Sequence, residues 1–250
     1  MIILKSPREI ELMAKAGYVT AGALQVVKEA IAPGISTGEL DRLVDEFFQK
    51  QGAISAFKGY RGFPASICTS LNNQVVHGIP SDKIILQEGD ILSVDVGAIV
   101  DGYVGDAAVT CPVGEISPTA AKLIAVTERA LSEGIERAVE GNHLSDISAA
   151  IQQWVEANGF SVVRDLVGHG IGQNMHEEPS IPNYGRPGYG PRLQPGMVLA
   201  IEPMVNAGKY HVKTLADDWT VVTADGKLSA HFEHTVAITP QGPRILTTLD

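Results

Sequence analysis

The segment from Ile91 to Val109, ILSVDVGAIVDGYVGDAAV, limits the possible folds more than any other part of the chain. Two apolar runs flank Asp101-Gly102, a dipeptide typical of a tight β-hairpin turn. In a hairpin centred there, paired positions sum to roughly 203, so Asp95 pairs near residue 108 and Asp106 lies about two residues away. Two carboxylates sharing one face of an apolar ribbon repel each other unless a proton or a cation joins them. The hairpin therefore predicts an antiparallel sheet and favours a metal site on it.

The predicted elements repeat one order, with two helices followed by strands in each half of the chain. In the first half, Ser6-Pro7-Arg8-Glu9 predicts a capping box for a helix that stops at Pro33-Gly34, and Thr37 is expected to cap a second helix. In the second half, Ser117-Pro118 and Ser145 are expected to open two more helices. Strands are expected at 67–71, 75–76, 91–100, 103–109, 161–167, 197–205, 219–222 and 228–238.

This repeated order predicts an α+β fold with pseudo-two-fold symmetry. Both halves, about 1–112 and 113–250, are expected to donate strands to one curved antiparallel sheet covered by two pairs of helices. Asp225-Gly226 predicts a second hairpin turn. No linker rich in Pro, Gly or Ser separates the halves, so residues 1–250 are expected to form a single domain. The Pro- and Gly-rich stretch at 179–195 predicts a long structured loop, and such loops are often functional.

Charge and cysteine content argue against several classes of function. A formal net charge of −10, from 29 acidic and 19 basic residues, disfavours general binding to nucleic acid or to an anionic membrane and leaves only a local basic patch as an alternative. Two cysteines, Cys68 and Cys111, fit a reducing cytosol. No apolar run approaches the ~20 residues of a membrane span, and the N-terminal MIILKSPREI lacks the apolar stretch of a signal peptide. We therefore expect a cytoplasmic protein.

Four further segments place acidic or imidazole side chains in apolar or glycine-flanked surroundings. LVGHGIGQNMHEEP contains His169 and His176, VLAIEPMV contains Glu202, SAHFEHTVAI contains Glu233, and VVHGIP contains His77. Taken singly, each has an ordinary explanation as a turn residue, a hydrogen-bonded histidine or a buried salt-bridge partner. Four acids and one histidine in such settings fit one metal centre better than five coincidences.

The ligand types indicate which metals would bind. Carboxylates with a single imidazole favour hard or borderline divalent ions such as Mn, Fe or Co, whereas a structural zinc site would use cysteines. Carboxylates also bridge pairs of ions ~3.5–4 Å apart, and such pairs activate water in hydrolases. The spacing leaves the number of ions open, and a metallophosphatase or another two-metal hydrolase is an alternative. His231 and His234, which flank Glu233, are expected to face solvent or to lie behind the ligands.

Taken in order, these motifs resemble those of the type I methionine aminopeptidases of the short bacterial form, which have the pita-bread fold. The likeness covers nearly the whole chain, through PREIELMAKAG, FPASICTSLNNQVVHGIP, ILSVDVGAIVDGYVGDAAVT, GHGIGQNMHEEP, PGMVLAIEPM and AHFEHTVAIT. The resemblance implies a metal-dependent aminopeptidase that removes the initiator methionine from nascent polypeptides when the second residue is small. It also implies a monomer that contacts the ribosome exit region transiently.

The same resemblance implies ligands for two divalent metal ions per chain, which could be Co, Mn, Fe or Zn. Asp106 and Glu233 would bridge both ions. His169 and Glu202 would complete one site, and Asp95 would chelate the other. A further side chain or backbone group is expected to hold His169 in one tautomer.

Catalytic roles also follow from the resemblance. His77 and His176 would contact the scissile amide and its developing oxyanion without binding metal. A metal-activated hydroxide would attack the scissile carbonyl, and Glu202 would shuttle the proton. Asn72 and Ser229 match positions that hold a monovalent cation in relatives.

An apolar slot for the substrate methionine is the last feature that the resemblance implies. Its walls would include Tyr60, Phe63, Cys68 and Trp219, for which packing in the core is the alternative. Two residues depart from the family pattern near this slot. Phe57 stands where a small or sulfur-containing residue is common, and Met175 stands where an aromatic residue is common.

Three rival assignments share the fold. Xaa-Pro aminopeptidases and prolidases have the same ligand pattern but usually carry an extra N-terminal domain. Type II methionine aminopeptidases carry a long helical insertion, for which the interval from His176 to Glu202 leaves no room. A metal-free binding module with this fold is the third rival, and the presence of every ligand position argues against it.

Overall fold

The computed structural model describes all 250 residues and contains four long helices. These are α1 (Pro7–Ala30), α2 (Thr37–Gln51), α3 (Pro118–Arg137) and α4 (Leu144–Ala157). Two lie in each half of the chain, which confirms the predicted pairing of helices. None of the four combines the length and the apolar character that crossing a bilayer requires.

Side-chain caps determine where the first two helices begin. Ser6 and Glu9 form the predicted capping box at α1, since each side chain accepts the backbone N–H of the other residue. The predicted cap of α2 is wrong by one residue, because the hydroxyl of Ser36 accepts the N–H of Glu39 at 3.1 Å. Thr37 is instead the first helical residue and donates its hydroxyl to a carbonyl of a neighbouring loop.

The predicted start of α4 at Ser145 is also wrong. His143 occupies the cap position, and its backbone N–H donates to the carboxylate of Asp146 at 2.7 Å. Ser145 lies within the first turn, where its hydroxyl accepts the N–H of Tyr189 at 2.7 Å. This contact ties α4 to the Pro- and Gly-rich segment of the second half.

Fifteen strands and one 3₁₀ helix make up the remaining regular structure. The first half contains β1 (Ile54–Ser55), the 3₁₀ helix (Tyr60–Gly62), β2 (Ile67–Leu71), β3 (Gln74–Val76), β4 (Ile91–Val100) and β5 (Tyr103–Pro112). The second half contains β6 (Ser161–Val162), β7 (Gly168–Gly170), β8 (Glu177–Ile181), β9 (Val198–Ile201), β10 (Met204–Asn206), β11 (Val212–Thr214), β12 (Val221–Thr223), β13 (Ser229–His231), β14 (Glu233–Thr239) and β15 (Gly242–Ile245).

Nine of these strands form one antiparallel sheet with the order β1-β4-β5-β14-β9-β7-β8, in which β2 also pairs with β4 and β15 also pairs with β14. Both halves of the chain contribute to it, and they meet where β5 pairs with β14. The predicted α+β fold with one shared sheet is therefore confirmed. The turn between β4 and β5 is also as predicted, since Asp101 and Gly102 have φ of 50° and 80°.

Two smaller sheets arise because two long predicted strands are interrupted. The strand expected at 197–205 breaks at Pro203, which has no N–H to donate, and the strand expected at 228–238 breaks at Phe232. Beyond these breaks, β10 pairs with β13 on one side and with β6 on the other. The predicted hairpin at Asp225-Gly226 is consequently wrong, because β12 pairs with β3 and β11 in the other small sheet.

The main sheet presents one face to the helices and the opposite face to a row of polar side chains. Val94 and Val96 are fully buried in the core cluster that includes the helices. Asp95 lies between them and therefore points to the other face, because successive side chains of a strand alternate. On β5, Ala107 belongs to the same core, which places Asp106 on the same side as Asp95.

Candidate functional site

Adjacent strands of the main sheet bring three predicted carboxylates together. Asp95 on β4 pairs with Ala108 on β5, as the hairpin arithmetic predicted. Ala108 also pairs with Glu233 on β14, so Asp95 and Glu233 flank it on neighbouring strands. Asp106 lies two residues from Ala108 and shares its face. The three carboxylates therefore project from consecutive strands toward one point.

The next two strands add the remaining predicted ligands. His169 on β7 pairs with Ala200 on β9, and Glu202 directly follows Ile201, the last residue of β9. The Nε2 atom of His169 lies 3.8 Å from Oδ2 of Asp106 and 3.6 Å from Oε1 of Glu202. The ligand atoms of Asp106, His169 and Glu233 all lie within 4.8 Å of one another. The strand order thus places all five predicted ligands in one row.

These carboxylates carry a large electrostatic cost in the absence of a cation. Burial raises the pKa of Asp95 to about 7 and the pKa of Glu202 to about 8. Burial, followed by repulsion from the neighbouring carboxylates, raises the pKa of Asp106 and Glu233 well above their ordinary values. Their nearest potential cations are histidines, since no lysine or arginine pairs with any of the four.

Unpaired carboxylate oxygen atoms show that this cluster of acids is suited to bind a divalent metal ion. Oδ1 of Asp95, Oδ1 of Asp106 and Oε1 of Glu233 are buried and have no hydrogen-bond partner. Buried polar atoms are nearly always paired, so three orphaned oxygens beside one imidazole require an explanation. Carboxylate oxygens with one nitrogen form a donor set suited to borderline divalent ions. The residues present therefore fit a metal centre.

His169 is held in the tautomer that a ligand requires. Its Nδ1 lies 2.9 Å from the carbonyl oxygen of Gly170, which can only accept a hydrogen bond. The proton is therefore on Nδ1, and Nε2 presents its lone pair to the carboxylates. Burial lowers the pKa of His169 to about 4, which keeps the ring neutral. The contact expected to orient His169 is thus a backbone carbonyl.

The predicted metal ligands, the two predicted substrate-contacting histidines and the predicted methionine-slot residues line one cavity of about 170 Å³. The cavity is lined by Phe57, Tyr60, Arg61, Phe63, Cys68, His77, Asp95, Asp106, His169, Met175, His176, Glu202, Trp219 and Glu233. Arg61 is the one lining residue that the sequence did not predict. It adopts φ of 49° in the 3₁₀ helix, and its guanidinium lies 5.4 Å from the ring centre of Tyr60.

The two histidines predicted to contact substrate lie on different walls of the cavity. The Nδ1 atom of His176 lies 2.8 Å from the hydroxyl of Tyr60, and its ring lies 4.3 Å from the ring of His169. His77 contacts Trp219 edge-on, with ring centres 6.2 Å apart. Burial lowers the pKa of His77 to about 4, so this ring is neutral at physiological pH.

A buried ion pair supports the segment that carries Met175 and His176. Lys5 is 7% exposed and pairs with Glu177, whose other carboxylate oxygen accepts the N–H of Asn174 at 3.2 Å. Removing one partner of a buried pair typically costs about 3–5 kcal/mol. The N-terminal segment therefore helps to position a wall of the cavity.

Apolar side chains form the rest of the cavity wall. Phe63 is 3% exposed and packs edge-on against Trp219, with ring centres 5.1 Å apart. Phe57 and Met175, the two departures from the family pattern, also line the cavity. A Cβ atom at Gly97 would lie 2.7 Å from Phe57 and 2.8 Å from Met175. Only glycine leaves both side chains in their present positions.

Asn72 and Ser229, which are predicted to hold a monovalent cation, are joined by a backbone hydrogen bond. The N–H of Ser229 donates to the carbonyl of Asn72 at 2.9 Å. The amide of Asn72 donates to Asp90 at 2.8 Å, and the hydroxyl of Ser229 donates to Asn206 at 2.9 Å. Both side chains thus have protein partners, and the cation stays a prediction.

The two histidines that flank Glu233 differ in their surroundings. His234 is partly buried, and its Nδ1 lies 2.8 Å from the hydroxyl of Thr247. His231 is 1% exposed, and its Nε2 lies 3.6 Å from Oε2 of Glu202. Of the two expected positions for His231, the structure therefore selects the one behind the ligands.

Comparison with known proteins agrees with this geometry. Residues 11–240 match the pattern of Metallopeptidase family M24. The chain is 60% identical over 247 residues to a methionine aminopeptidase of Clostridium acetobutylicum, with 99% of each chain covered. It is 58% identical over 247 residues to methionine aminopeptidase 1 of Bacillus subtilis, again with 99% of each covered. The crystal structure of a methionine aminopeptidase from Thermotoga maritima is 49% identical and superposes with a TM-score of 0.98, covering 99% of this chain and 100% of that one.

Proposed function

The chain belongs to metallopeptidase family M24, and from this membership we propose that it is a metal-dependent methionine aminopeptidase. It removes the initiator methionine from nascent polypeptides whose second residue is small. The observation that carries the proposal is one cavity that is lined both by five potential metal ligands and by apolar side chains. The relatives named methionine aminopeptidase support this assignment over the full length of the chain.

The five ligand positions would hold two divalent ions, which we propose to be Co, Mn, Fe or Zn. Asp106 and Glu233 stand in the middle of the row and would bridge the two ions. Asp95 would chelate one ion, while His169 and Glu202 would complete the site of the other. Such ions, when bound, polarise the scissile carbonyl and supply a strongly nucleophilic water at neutral pH.

His176 is suited to stabilise the negative charge that develops on the carbonyl oxygen. The Tyr60 hydroxyl lies within hydrogen-bond distance of Nδ1 of His176, and a phenol donates readily to an imidazole nitrogen. With Nδ1 accepting from Tyr60, the proton of the neutral ring is on Nε2, which is left to donate to the oxyanion. His77 would contact the scissile amide from the other wall, and Glu202 would carry the proton to the departing amine.

The apolar wall explains a preference for methionine. The apolar residues that line the cavity are Phe57, Phe63, Cys68, Met175 and Trp219. An unbranched thioether adapts well to such surfaces. A cavity of about 170 Å³ leaves room for one side chain. Specificity for a small second residue would then follow from crowding where the polypeptide leaves this cavity.

We place this activity in the cytoplasm, on nascent chains near the ribosome exit, and with the protein as a monomer. Both cysteines are free and buried, which is compatible with a reducing compartment. The excess of acidic residues gives no support to a specific nucleic-acid partner.

Peptide hydrolysis by metal-stripped protein, resupplied with Mn, Co, Fe or Zn in turn, tests the proposed function. Met-Ala-Ser should be cleaved only after metal is added, and Met-Leu-Ser should be cleaved poorly because its second residue is bulky. Cleavage of Ala-Pro-Ala would instead assign the protein to the proline-specific branch of the fold. Absence of hydrolysis with every metal would leave only a binding role.

Replacing His176 with Ala separates the substrate contacts from the metal ligands. Turnover of Met-Ala-Ser should fall about 10²–10³-fold, because a donor to the oxyanion is lost. Metal content, measured by elemental analysis of the purified variant, should stay near that of the unaltered protein. A large loss of metal in the variant would show that His176 is a ligand.

A further inference from the structure

His231 is a buried histidine that the proposed set of ligands does not use. It ends strand β13, where it pairs with Met204 of β10. Its backbone is also held by Thr110, whose hydroxyl donates to the His231 carbonyl and accepts the His231 N–H, each at 2.8 Å. The position of this imidazole beside the carboxylates is therefore set by the sheet.

The Nε2 atom of His231 is buried and has no hydrogen-bond partner. Its nearest acidic neighbour is Glu202, whose Oε2 lies 3.6 Å away. The other oxygen of this carboxylate, Oε1, lies 3.6 Å from Nε2 of His169. Glu202 thus stands between two imidazoles, with one oxygen directed at each, and only His169 belongs to the converging group of ligand atoms.

We propose that His231 is a positioning residue, which donates a hydrogen bond from Nε2 to Oε2 of Glu202 and so keeps Oε1 directed at the metal site beside His169. The distance of 3.6 Å exceeds a hydrogen bond by about half an ångström, which a small rotation of the carboxylate removes. The inference rests on the metal-dependent function proposed above. His231 itself touches neither metal nor substrate in this arrangement.

The alternative in which His231 is a second nitrogen ligand, beside His169, fits the contacts less well. Asp106, His169 and Glu233 already bring their ligand atoms within 4.8 Å of one another, and His231 is not part of that group. The closest charged atom to Nε2 of His231 is Oε2 of Glu202. An unpaired N–H at Nε2 would donate to this oxygen directly.

Two amide variants test the proposal, because they share their chemistry and differ only in length. In His231→Gln the amide nitrogen lies close to the position of Nε2, whereas in His231→Asn it is too short to reach Glu202. Mn²⁺ affinity is measured by calorimetric titration of the metal-stripped variants, and kcat and KM are measured with Met-Ala-Ser. His231→Asn should bind Mn²⁺ about 10–100-fold more weakly and show a lower kcat with KM nearly unchanged. His231→Gln should stay within about threefold of the unaltered protein in all three.

Equal behaviour of the two variants would overturn the proposal. If both keep full Mn²⁺ affinity, no donor is needed, and if both lose it, the ring acts as a ligand or as packing. A further test combines His231→Asn with Glu202→Gln, where loss of the donor should weaken Mn²⁺ binding no further. The titrations need no peptide, so a protein that passes them but cleaves no methionyl substrate would refute the proposed function alone.

Discussion

Replacing Asp106 with Asn should lower turnover of methionyl peptides by at least about 10³-fold and reduce the metal content of the purified protein. Asp106 stands between Asp95 and Glu233 in the row of carboxylates, and its Oδ1 is buried without a partner. The amide is nearly the same size, so the strand pairing is retained while one negative charge is lost. Because Asp106 is proposed to bridge two ions, its loss should affect the whole centre.

The control for this variant is Asp165→Asn, which makes the same chemical change at an exposed acid outside the cavity. It should keep both turnover and metal content. Metal content is measured by elemental analysis after dialysis, and turnover is measured over a series of Mn²⁺ concentrations. An Asp106→Asn protein that retains metal and turns over within tenfold of the unaltered protein would contradict the bridging role.

The part of the site that the sequence predicted depends on local geometry. The Asp101-Gly102 turn determines the pairing of β4 with β5, and Asp95 accordingly faces Ala108. Helix α1 was predicted to its first residue because Ser6 and Glu9 form a capping box within four positions. In each case the deciding interaction joins residues that are close in sequence.

The part that could not be predicted depends on contacts between distant segments. Residue spacing does not reveal that β14 lies between β5 and β9, although this order aligns the ligands. The break at Phe232 sends His231 and Glu233 into different sheets, so alternation along one strand cannot relate their directions. The sequence therefore left the position of His231 open. Arg61 lines the cavity because its backbone adopts a left-handed conformation, which its local sequence does not predict.

Metal-free protein should become less stable as the pH rises from about 6.5 to about 8. The pKa of Asp95 is raised to about 7 and that of Glu202 to about 8 by burial, and the pKa values of Asp106 and Glu233 are also raised well above their ordinary values. In the unfolded chain these carboxyls ionise near pH 4. The folded state therefore binds more protons across this range, and its stability falls as they are released. For each carboxyl that is protonated in the folded state and ionised in the unfolded chain, the free energy of unfolding falls by roughly 1.4 kcal/mol per pH unit. Summed over the cluster, several kcal/mol of stability should be lost.

Other buried groups contribute less than the carboxyls between pH 6.5 and pH 8. His77, His169 and His234 have pKa values lowered to about 4 by burial, and they make the folded state more stable as the pH rises toward about 6.5. In the unfolded chain these histidines ionise near pH 6.5, so they offset part of the loss up to about pH 7.5 and are neutral in both states above it. The pKa values of Cys68 and Cys111 are raised by burial, so the thiols add to the loss only near and above the ordinary thiol pKa of about 8.5. Between these limits the carboxylates dominate the pH dependence.

Urea unfolding of chelator-treated protein at pH 6.5 and pH 8 measures the effect. The midpoint should be lower at pH 8 and should recover when Mn²⁺ is restored, because the cation then replaces the protons. Metal-free Asp106→Asn should lose less stability over this range and be more stable than metal-free unaltered protein at pH 8, by about 1–3 kcal/mol. A midpoint that is constant or rises with pH would mean that the carboxylates are ionised without metal. In the expected case, one set of buried charges both destabilises the empty fold and creates its affinity for cations.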